Sequence, residues 1–175
     1  MILRRAEHRI AQFLTALRPR VEPHDRAEAY SHLNEAQRRI FEAMMLRDRQ
    51  HGIDVFRRVR TKRSDDRDLL AAALLHDCGK GNVTLWQRVL HVILAAAAPG
   101  FRARLATQHG AAWRQALWRL EHHPELGAAM VAATAGAGGH TNGAPPDADV
   151  VRLIREQEAP SPDERLAILQ AADEA

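Results

Sequence analysis

Hydrophobic and polar positions along this 175-residue chain recur with a helical period almost throughout. Ile2, Leu3, Ala6, Ile10, Phe13, Leu14 and Leu17 mark an amphipathic N-terminal helix that should pack on the main body and stop at Pro19. Arg18 to Asp25, with Pro19 and Pro23, reads as a connection. Asn34 suits the N-cap of a helix carrying Ile40, Phe41, Met44 and Met45 on its apolar side. Asp48 suits the cap of the next, where His51, Val55, Phe56 and Val59 follow at helical spacing; His51 then lies in a first turn near the inward face. Asp65 or Asp66 starts a helix through Leu69, Leu70, Ala73, Leu74 and Leu75 that is apolar on most sides and therefore central.

Leu85 to Ala98 reads as a further helix, ended by Pro99-Gly100. Its apolar breadth favours burial, with a membrane-surface or dimer contact as the alternative. Ala112 to Glu121 is a short helix, and Pro124 opens another that continues to Thr134. Residues 135–146, rich in Gly, Asn and Pro, read as a flexible loop. Asp147 to Glu158 and Asp163 to Asp173 form the last two helices, separated by Pro160-Ser161-Pro162. Neither a repeat nor a strand pattern is present, so the pattern predicts an all-α bundle.

Composition agrees with helices and adds little else. Alanine and leucine dominate, aromatics make up 5%, and the length suffices for one proper core. The formal charge of +3 suits an anionic ligand without demanding nucleic acid, and no RNA-stacking motif or regular basic face accompanies the arginines. The sole cysteine, Cys78, excludes an internal disulfide and a thiolate cluster, and reads as a small core residue. The N-terminus is charged too early for a signal peptide, and the longest apolar run, Val92 to Ala98, falls far short of the ~20 residues that span a bilayer. A cytoplasmic setting is the expectation.

Candidate chemistry centres on Leu74-Leu75-His76-Asp77-Cys78-Gly79-Lys80. Adjacent helical residues point about 100° apart, so His76 and Asp77 can share one ion only where the helix ends and the chain turns. Gly79 offers a residue that tolerates φ > 0 there, and Lys80, one of two lysines with Lys62, sets a compact cation beside it. Imidazole and carboxylate donors suit Mn, Fe, Co, Ni and Zn, and with fewer histidines Mg. His51, His76, Asp77 and Asp173 lie on three separate helices and form a candidate set for one such ion.

This spacing resembles the HD superfamily of metal-dependent phosphohydrolases. His51 within Asp48-Arg-Gln-His51 matches the family's first histidine, His76-Asp77 its doublet, and Asp173 within Ile168-Leu-Gln-Ala-Ala-Asp173 its closing aspartate. The resemblance runs from about Asn34 onward, which divides the chain into an N-terminal helix and connection, 1–33, and an HD-type domain, 34–175. It implies an HD-like helical bundle with an extra N-terminal helix, and a divalent ion held by His51, His76, Asp77 and Asp173. Members with two ions add a histidine before Pro-x-x-Gly. His123 in His122-His123-Pro124-Glu125-Leu126-Gly127 is similar, which makes it the residue for a second ion. The chain departs from the pattern further on, where Gln157 stands in the place of another histidine. His140, in the Gly-rich loop, is the other candidate there, although a solvent-exposed role suits it better. The Gly-Tyr-Pro element of the cyclic-di-nucleotide phosphodiesterase branch is absent.

The implied activity is hydrolysis of a nucleotide or other small phosphate ester by a metal-activated water. Asp77 and Lys80 would be the catalytic residues, with Lys80, Arg57 and Arg58 receiving the phosphate. Asp48, one turn before His51, is a cap or a partner that orients that histidine. The alternative is an HD-fold module that binds metal or nucleotide as a sensor without turnover. The substrate, the metal and the oligomeric state are open at this level.

Overall fold

The computed structural model describes residues 20–135 and 147–175; the N-terminal amphipathic segment and His140 lie outside them. The described residues are all-helical, without a strand. The helices are α1 (Pro23–Ser31), α2 (Glu35–Ala43), α3 (Leu46–Arg60), α4 (Arg67–Leu75), α5 (Leu85–Ala97), α6 (Pro99–Leu105), α7 (Ala112–Glu121), α8 (His123–Ala135), α9 (Ala148–Glu156) and α10 (Glu164–Asp173), with a 3-10 turn at Cys78–Lys80.

Helix α4 is the axis of the bundle. Asp66 caps it by accepting from the Leu69 amide at 3.0 Å, and Leu69 through Leu75 are all buried. A helix apolar on every side must be wrapped on every side; here α2, α3, α9 and α10 pack against it. Asn34 caps α2 in a reciprocal capping box with Gln37. Ile40, Phe41 and Met44 enter the core from α2, whereas Met45 is partly exposed and becomes the N-cap of α3. Beside this bundle, α5, α6 and α7 form a smaller layer that meets it through the 3-10 turn and α8.

Several expectations change. The segment read as a connection holds α1, with Pro23 in its first turn and Ala29 buried, followed by buried Leu33. Its periodicity is faint because its buried residues are Asp25 and Ala29, a charge and a small side chain. Pro99 ends α5 but also opens α6, since a proline at a first helical position loses no hydrogen bond. Asp48 is not a cap. It sits inside the first turn of α3, buried, and accepts from Arg88 of α5 at 2.7 Å. His51 consequently lies in the second turn. Finally, α5 is largely exposed: Gln87 is its one buried residue, while Trp86, Val89, Val92 and Ile93 face outward.

Candidate metal centre

Three close backbone approaches assemble the site. Helix α3 meets α4 at Gly52, where a Cβ would stand 2.7 Å from the Leu74 carbonyl oxygen. Absence of a side chain there brings the neighbouring His51 to the end of α4. The chain leaves α4 at His76 and Asp77 and enters the 3-10 turn, which presses on the start of α8. A Cβ on Gly79 would lie 2.1 Å from the His123 carbonyl oxygen, and one on Gly127 would meet Cys78 Sγ at 3.1 Å. Gly79 is thus required for close approach. The left-handed conformation expected of it belongs instead to Gly81, at φ 61°. Cys78 is buried in this contact, and burial pushes its thiol up to about 12, so it behaves as core.

The donor atoms converge at the end of α4. One ligand atom from each of His51, His76 and Asp77 lies within 4.8 Å of the others. Asp173, the last residue of α10, places Oδ1 2.6 Å from His51 Nε2 and 3.3 Å from His76 Nε2. His76 Nε2 also stands 3.4 Å from Asp77 Oδ1, and His51 Nε2 4.0 Å from Asp77 Oδ2. Donors bound about 2.0–2.2 Å from a shared ion stand about 3 Å apart at right angles and about 4 Å apart across it. The observed spacings fall largely in that range, with His51–Asp173 tighter because those two groups hydrogen-bond.

Ring orientation points the same way. His76 Nδ1 lies 2.9 Å from the Ala73 carbonyl and His123 Nδ1 3.0 Å from that of Leu120. Each Nδ1–H donates outward, which leaves Nε2 as the atom turned inward. His76 Nε2 is buried and makes no hydrogen bond, whereas Asp77 Oδ1 is met at 2.6 Å by the Lys80 ammonium. Buried polar atoms are nearly always satisfied, so an unpaired His76 Nε2 between the Asp77 and Asp173 carboxylates fits a cation. These residues fit a metal ion. Compared with protein-family models, curated proteins and solved structures, the chain matches none.

Electrostatics around the centre follow from burial set against charge. For Asp77, burial is the largest influence and would raise its pKa, but His76, Lys80, His123 and His51 together hold it well below the usual carboxylate range. Asp173 is held down chiefly by its contacts with His51 and His76. Burial opposes protonation of His76, yet Asp77 and Asp173 outweigh it and its pKa is raised. Burial, reinforced by Lys80, pushes His123 down to about 4.

The remaining predicted residues take definite places. Lys80 Nζ sits 2.6 Å and 2.7 Å from the two Asp77 oxygens, beside the donor cluster. Arg57 is engaged away from the centre, by Asp25 of α1. Arg58 donates to the Ala172 carbonyl at 3.0 Å and so braces the end of α10 that carries Asp173. Neither arginine is seen in the phosphate position expected of it. His123 Nε2 lies 3.6 Å from Asp77 Oδ1 and 3.6 Å from Glu158 Oε1. Gln157 donates from Nε2 to the His76 carbonyl at 2.9 Å, fixing the doublet's backbone from behind. Glu158 is the residue that sequence reasoning missed. Its only signal was adjacency to Gln157, and the end of α9 must be placed beside α8 before that adjacency means anything.

Proposed function

We propose that this chain is a metal-dependent phosphohydrolase acting on a nucleotide or another small phosphate ester. The observation that carries the reading is the convergence of His51, His76, Asp77 and Asp173 from three helices, with His76 Nε2 buried and unpaired among them. One ion, held by these four, is the simplest loading. A divalent cation there would polarise a phosphoryl oxygen and lower the pKa of a water.

The chain's own residues supply the rest. Asp77 and Asp173 stay ionised at neutral pH because their neighbours hold their pKa values down. That suits them to hold a cation and to orient a water by accepting its hydrogen bond. Lys80, partly exposed and tethered to Asp77, would meet a phosphate oxygen. His123, neutral at pH 7, and Glu158 flank Asp77 where a second ion would add.

Purified protein should retain Mn, Fe, Co, Ni, Zn or Mg and release phosphate from a nucleotide panel. His76→Ala and Asp173→Ala should each lose the metal and at least ~100-fold in turnover. Variants that keep both bound metal and turnover would sink the proposal. One observation favours a second reading, a metal- or nucleotide-binding sensor without turnover: Gln157 spends its amide on the His76 backbone and provides no imidazole. Metal retention with ligand binding and no phosphate release throughout the panel would select it.

A further inference from the structure

The outward face of α5 has no counterpart elsewhere among the described residues. Leu85, Trp86, Val89, Val92 and Ile93 are all exposed, Trp86 and Ile93 at 56% and Val92 at 64%. At about 100° per residue they occupy an arc of about 120° on one side of the helix. The opposite side is anchored: Gln87 is buried and accepts from the Thr84 amide at 2.8 Å, and Arg88 is held by Asp48. The helix therefore cannot roll its apolar face inward without breaking a cap and a part-buried ion pair. Phe101, on the adjoining α6, is also 56% exposed.

Charge selects the occupant of this face. Across α5, α6 and α7 the one carboxylate is Glu121, paired with Arg102 at 2.7 Å, against Arg88, Arg102, Arg104, Arg114 and Arg119. The whole chain is only +3, so the remainder is net acidic. The basic charge is concentrated on the layer that exposes the apolar face, and Arg104 and Arg119 are themselves exposed. A second copy docked here would oppose two such basic layers. The chain's own N-terminal segment carries Arg4, Arg5, Arg9 and Arg18 against a single Glu7, a charge that does not complement this layer. An apolar arc with a tryptophan, on a layer where arginines outnumber carboxylates five to one, matches a bilayer surface that carries anionic lipid.

We propose that α5, with Phe101, docks the protein on anionic membrane surfaces, laying Leu85, Trp86, Val89, Val92 and Ile93 into the boundary between headgroups and acyl chains. No helix among the described residues is long and apolar enough to cross a membrane, so this attachment is peripheral. It is independent of the metal centre.

Full-length protein should co-sediment with mixed phosphatidylcholine–phosphatidylglycerol vesicles and weakly or not at all with phosphatidylcholine alone. Added salt should weaken the association. The double variant Val92→Glu/Ile93→Glu should lose at least ~10-fold in vesicle affinity, with an unchanged melting temperature because both side chains already face water. Arg104→Glu should lose about 5-fold or more. Failure to bind anionic vesicles overturns the proposal. So does binding that survives the double variant, which would place the membrane contact elsewhere. A concentration-dependent dimer abolished by the double variant, without vesicle binding, would assign the face to a second copy. A lowered melting temperature of the double variant, without vesicle binding, would assign it to another part of this chain.

Discussion

His123 illustrates how burial prepares a ligand. Its imidazole is nearly inaccessible, and burial with Lys80 nearby pushes its pKa to about 4. Because the folded value is below the ordinary 6.5, the unfolded chain takes up a proton between pH 6.5 and 4 that folded His123 refuses. This residue therefore subtracts stability as the pH falls through that window, by roughly 3 kcal/mol. Melting curves in chelator should show a flatter decline from pH 6.5 to 4 for His123→Gln than for the parent protein; parallel curves would refute the shift. His76 has the opposite sign. Its folded pKa is raised, so its contribution is fully present below 6.5 and lost as the pH rises through the folded value. A metal must displace that proton, so metal affinity should rise with pH through the same range, as read by competition with a chromogenic chelator. The doublet, His51 and Asp173 were legible in the sequence because each stands at a helix end or beside an apolar stripe. Glu158 was not. Its approach to His123 depends on where two helices end in space, and no local pattern encodes that.

At the level of elements, glycine sets the site more than the donors do. Gly52 is a helix-interior glycine, where alanine would ordinarily gain about 1 kcal/mol. Here the added Cβ would meet the Leu74 carbonyl oxygen at 2.7 Å. Backbone in a packed helix pair cannot give way cheaply, so the clash wins. Gly52→Ala should destabilise the protein by about 1–3 kcal/mol and weaken metal binding, because it moves His51 off the end of α4. Denaturant unfolding and metal titration of the variant check both parts. Arg58 acts at the other end of the same helix. Its bond to the Ala172 carbonyl holds the last turn of α10, which frays in most helices. Arg58→Ala should lower metal affinity about 10-fold through Asp173 while leaving KM for a phosphate ester unchanged at saturating metal. A raised KM would return Arg58 to the phosphate role that the family resemblance implied. Helix-by-helix reading succeeded where periodicity is strong, as in α2 and α9, and where a capped, continuously apolar run marks a central helix, as in α4. It failed for α1, whose buried residues are one aspartate and one alanine, Asp25 and Ala29, and for α5, because periodicity reports that a face is apolar and not what covers it.

For the whole molecule, the candidate centre joins elements remote in the chain. His51 comes from α3, His76 and Asp77 from the end of α4, and Asp173 from the last residue of α10. Helix α10 is held there by its packing on α3, α4 and α9, by the Arg58 bond, and by ion pairs such as those of Arg165 with Asp66 and Asp149. An unfolded chain spreads these ligands over more than a hundred residues and cannot bind the ion as a set, so binding free energy becomes folding free energy. At a free metal concentration 100 times the dissociation constant, the stabilisation is about 2.7 kcal/mol. For a chain of this size, each kcal/mol raises the melting temperature by about 2–4 °C. Calorimetry should therefore show a rise of about 5–10 °C on adding the preferred divalent ion to chelator-treated protein, and no rise for His76→Ala. Hydrogen exchange sharpens the test. Protection should increase most in α10, which ends on Asp173, whereas α4, already wrapped on all sides, should change little. A rise in melting temperature with protection confined to α5 through α7 would place the ion away from His76, and the assignment of the centre would fail with it.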